Sequence, residues 1–116
     1  MTKPTTVAEY VASLPEAQQP VAQRLAALLD AGLPGVPGVL WQGHPVWKDG
    51  PEPVAGFKAF PRWVSLLVWD GAAAGDTTGT LALSPRGMGT VKLSSLDDLD
   101  EPAVTAWLAG VAASRA

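Results

Sequence analysis

The seven residues Trp63-Val64-Ser65-Leu66-Leu67-Val68-Trp69 constrain this chain most. Strand side chains alternate between two faces, and here both alternating sets are apolar apart from Ser65. Such a strand belongs at the centre of a sheet that is covered on both sides, so helices are expected against one face. A chain of 116 residues has room for one core, burying about two-thirds of the surface it exposes when unfolded, and residues 1–116 read as a single domain.

The rest of the pattern supplies that core. Thr6-Val7-Ala8-Glu9 is a capping box, followed by Val7, Tyr10, Val11 and Leu14 at helical spacing. Ser13-Leu14-Pro15-Glu16 repeats the box before the stripe Val21, Leu25, Leu28 and Leu29, which ends ahead of Gly32. Pro20 conflicts with a helix already running at Glu16, so the second helix either starts late or kinks. Val39 to Gln42 and Val46 to Lys48 read as one strand interrupted at Gly43-His44-Pro45. Asp49 to Pro53 is turn chemistry, Val54 to Phe60 turns at Pro61-Arg62 into the central strand, and Thr90 to Leu93 forms the last strand. Between Asp70 and Gly89 only Leu81 and Leu83 alternate in a Gly-rich stretch. Asp100, Glu101 and Pro102 open a closing helix with Val104, Trp107, Leu108 and Val111 on one stripe. The expected fold is α+β: two N-terminal helices, a curved, mostly antiparallel sheet of about five strands and a C-terminal helix.

Composition removes several function classes. The formal charge of -3 leaves no basic surplus for a phosphate backbone, so nucleic acid is not expected as a partner. No apolar run is long enough to span a bilayer and no apolar leader follows Met1, which predicts a soluble, cytoplasmic protein without a membrane partner. With no cysteine there is no thiolate nucleophile, disulfide or sulfur ligand.

Several segments, in this order, resemble the YdhG-like family of small bacterial domains: TVAEYVASLPEAQQPVAQRL from Thr6 to Leu25, Trp41-Gln42-Gly43-His44-Pro45-Val46-Trp47, Gly56-Phe57-Lys58-Ala59-Phe60 and Val91-Lys92-Leu93. The resemblance spans nearly the whole chain except Gly71 to Gly89, which is richer in Gly and Ala than the family pattern. It implies a shared fold, a non-catalytic intracellular role and, from members described as frataxin-like iron chaperones, the handling of iron.

The residues themselves offer three kinds of site. Trp41, Trp47, Trp63 and Trp69 could bracket a flat or cationic small-molecule ligand, or simply pack on the sheet. His44, the only histidine, sits at the strand break, where it could be aimed into a cleft with Trp41, walled by Trp47 or Trp69; the alternative is a solvent-facing bulge. As a general base it would need an orienting acid, for which Asp49 and Asp70 are available, but no nucleophile motif accompanies it and a hydrolase is the weakest reading. Asp97, Asp98, Asp100 and Glu101 provide hard oxygen donors for a divalent or ferrous ion, or a negative charge for capping the closing helix. Lys58, Arg62, Arg86 and Lys92 could form a cationic corner for a carboxylate or phosphate, or be solvated surface charge. The small-ligand set is therefore Trp41, His44, Trp47, Lys58 and Trp69, and iron is the one cofactor considered.

Overall fold

The computed structural model describes residues 3–115. Its elements run α1 (Val7–Ala12), α2 (Gln19–Gly32), β1 (Gly38–Trp41), β2 (His44–Asp49), β3 (Glu52–Ala59), β4 (Val64–Val68), β5 (Ala82–Leu83), β6 (Gly89–Leu93) and α3 (Glu101–Arg115), with a short 3-10 turn at Leu96–Asp98. The α+β class and the antiparallel sheet are as expected. The sheet has six strands, in the order β1-β2-β3-β4-β6-β5.

The extra strand comes from one local correction. Gln42 and Gly43 both have positive φ, 53° and 86°, and Trp41 pairs with His44. Two positive φ values in a two-residue loop mark the type I′ hairpin, so β1 and β2 are antiparallel partners and not one interrupted strand. Short β5 at the far edge falls on the weak alternation of Leu81 and Leu83.

α1 is short, capped by Thr6, whose hydroxyl accepts the Glu9 amide at 3.1 Å. Pro20 is accommodated by a late start: α2 begins at Gln19, which puts the ring in the first turn where no amide bond is lost. Helices α1, α2 and α3 all bury their apolar sides on one sheet face, formed by Trp47, Ala55, Phe57, Leu66, Val68 and Leu93. Polar links fix them there. The Tyr10 hydroxyl accepts the Ala59 amide at 2.9 Å, and Gln18 donates to the carbonyl of Phe60.

Asp76 orders the Gly-rich connection after β4. Its carboxylate accepts the Thr78 hydroxyl and amide, the Leu81 amide and, at 3.1 Å, the indole N–H of Trp107 in α3. The Thr78 hydroxyl above all, with the Leu81 amide, holds this carboxyl far below the usual carboxylate range. The loop therefore closes on the helical side, where Leu81 is buried, and leaves the opposite face of the sheet uncovered by the described elements.

Candidate functional site

The uncovered face is defined by strand register. One row crosses five strands as Val39, Val46, Gly56, Leu67 and Thr90, each the direct partner of the next. Alternation puts Trp41, His44, Lys58, Ser65 and Lys92 on the same face in the neighbouring row, with Trp41 opposite His44 and Ser65 between Lys58 and Lys92. Neither row contains an Asp or Glu. Such a face is normally solvated by polar side chains, yet this one carries Trp41, Phe60, Trp63 and Trp69, all half-buried.

These rings form two groups. Trp41 and Trp69 meet edge to face at 6.1 Å, although one ends β1 and the other directly follows β4, about 14 Å apart at three strand spacings. They reach each other by leaning across β2 and β3. Gly56 lies in that path, and a Cβ there would stand 2.4 Å from the Pro45 carbonyl oxygen. Val46 beneath is fully buried although no helix covers it. The second group stacks Phe60 on Trp63 with centroids 5.1 Å apart.

Each group carries lysine. Lys48 Nζ is 5.2 Å from the Trp41 ring centre, Lys58 Nζ 5.4 Å from Phe60 and Lys92 Nζ 4.8 Å from Trp63. The ion pairs among the described residues use other cations, Arg24 with Glu101 and Arg115 with Asp49 and Glu52, so none of these three ammonium groups is neutralised by a carboxylate.

His44 is buried in this face, 7% exposed, and its Nδ1 has no hydrogen-bond partner. Burial pushes the imidazole below its ordinary pKa, and the positive charge of Lys58 adds to that, so it is neutral at pH 7. The solvent-facing bulge is thus replaced by an inward histidine beside Trp41 and Lys58. Neither proposed orienting acid serves it: Asp49 is paired with Arg115, and Asp70 accepts the Ala73 amide.

Of the small-ligand set, Trp41, His44, Lys58 and Trp69 share the uncovered face. Trp47 does not; it is 1% exposed on the helical side and donates to Asp30 at 2.8 Å. Ser65 and Phe60 belong to the site without having been singled out, and a polar residue inside an otherwise apolar strand was the available signal for the first. The acidic run is dispersed into structural duties: Asp98 accepts the Ser94 amide, Asp100 caps α3 through the Ala103 amide, and Glu101 pairs with Arg24 at 2.6 Å. Among the described residues, no group of three or more His, Asp or Glu side chains is placed to hold a metal ion. A groove of about 590 Å³ lies between α1 and α2, but its Gln19 and Asp30 are already bonded to Leu14 and Trp47. Among the described residues no helix is long and apolar enough to cross a membrane.

No protein-family model matches the chain, and no curated protein or solved structure does either.

Proposed function

We propose that this chain is a non-catalytic, cytoplasmic binding domain of the YdhG-like type, and that its ligand is a small planar organic anion held on the uncovered sheet face. One observation carries the reading: four aromatic side chains and three carboxylate-free lysines share the face that the helices leave open. Rings supply apolar contact and lysines favour negative charge, the usual division of labour in a small-molecule site. Iron handling, which the family resemblance implies, draws no comparable support, because three of the four acidic residues already serve the fold.

Equilibrating the protein with a small-molecule cell extract and weighing what it retains by native mass spectrometry tests this. An organic anion retained by the parent and lost from Trp41→Ala/Trp69→Ala is the expected result. Ferrous ion bound by the parent and lost when Asp97, Asp98, Asp100 and Glu101 become Asn or Gln would favour the iron reading instead.

A further inference from the structure

Ser65 interrupts the most apolar strand of the molecule and is only 6% exposed. Its Oγ accepts the Trp63 indole N–H at 3.0 Å, which leaves the hydroxyl proton to be donated elsewhere. Lys58 and Lys92 flank it as direct cross-strand partners, with Cβ atoms about 5 Å away on either side. Their ammonium groups lie over Phe60 and Trp63, which stack on each other. A ring face positions an ammonium without neutralising it, so its N–H donors remain free for an anion.

We infer that the row Lys58, Ser65, Lys92 is a seat for an oxyanion, a carboxylate or a phosphate, whose organic body lies beside the Phe60–Trp63 stack. The inference rests on the open-face reading above and names the ligand class and the place on that face. The two lysines flank the hydroxyl in one cross-strand row, and carboxylate and phosphate oxygens accept from all three alike.

The test is a nuclear magnetic resonance titration of the full chain with phenyl phosphate, benzoate and neutral benzyl alcohol, following the indole N–H signals and the Ser65 amide. Either anion should shift Trp63 and Ser65 while the alcohol does not, and the tighter of the two anions identifies the oxyanion. Lys58→Gln/Lys92→Gln should weaken binding about tenfold or more, as loss of charge-assisted bonds predicts. Ser65→Ala should weaken it less, with the Trp47 and Trp107 signals in place to show a folded core. Equal shifts with benzyl alcohol, or parental affinity in the double variant, overturn the seat. Shifts confined to Trp41 and Trp69 overturn the seat and leave the open-face reading standing. Silence of all the face tryptophans toward all three compounds overturns both.

Discussion

Replacing Trp107 by Ala tests how the closing helix and the Gly-rich loop hold each other. Trp107 is 3% exposed, lies on the α3 stripe with Val104, Leu108 and Val111, and donates its indole N–H to Asp76. Truncating a buried Trp costs about 3–5 kcal/mol in lost transfer energy and residual cavity. A domain of this size has about 5–15 kcal/mol in total, so the variant is left with a small margin. At about 4 °C per kcal/mol the thermal midpoint should fall by about 12–20 °C. Urea unfolding followed by far-ultraviolet circular dichroism avoids using the deleted chromophore, and the midpoint should drop with an unchanged slope. Trp107→Phe keeps most of the ring but removes the donor, so amide exchange at Leu81 should speed up with a smaller loss of global stability. A loss under about 1 kcal/mol for Trp107→Ala would place it among ordinary surface changes and refute the packing.

Two further outcomes test the uncovered face. Gly56→Ala should be strongly destabilising by chemical denaturation, because the new Cβ would meet backbone atoms of Pro45 and Val46 at 2.4 and 3.0 Å; a parental midpoint would show that β2 and β3 are not held so close. Because the folded pKa of His44 lies below its ordinary 6.5, the stability tied to its neutral form is complete above pH 6.5 and is lost as pH falls toward the folded value; His44→Phe should flatten that acid limb and, by removing an unpaired buried nitrogen, leave stability at pH 7 equal or higher, whereas an unchanged limb refutes the assignment.

The helices and the central sheet were legible because their signals are local. The Thr6 cap, the stripes ending at Leu29 and Val111, and the doubly apolar β4 each announce themselves within one or two turns of chain. The Asp76 node was not legible: its partners Thr78, Leu81 and Trp107 come together only once the loop folds back on α3, and a lone Asp among Gly and Thr carries no periodicity. The same holds for the pairing of Trp41 with Trp69, which depends on two intervening strands and on Gly56 being bare.

The misplacement of Trp47 has a single cause, and it explains why the site was only half readable. On one continuous strand, Trp41 and Trp47 are six residues apart and share a face, because strand faces repeat every two residues. A two-residue turn changes that parity: once Trp41 pairs with His44, the residues sharing its face are His44 and Val46, and Trp47 must point the other way. The turn was hidden because Gln is an uncommon residue at positive φ, where Asn, Asp or Gly would have signalled the hairpin. Pro45 completed the disguise, since an internal Pro reads as a strand break; here it lies next to the turn, at the second residue of β2. One dihedral choice at Gln42 thus sends Trp47 to the core against Asp30 and leaves Trp41 and His44 on the face with the lysines.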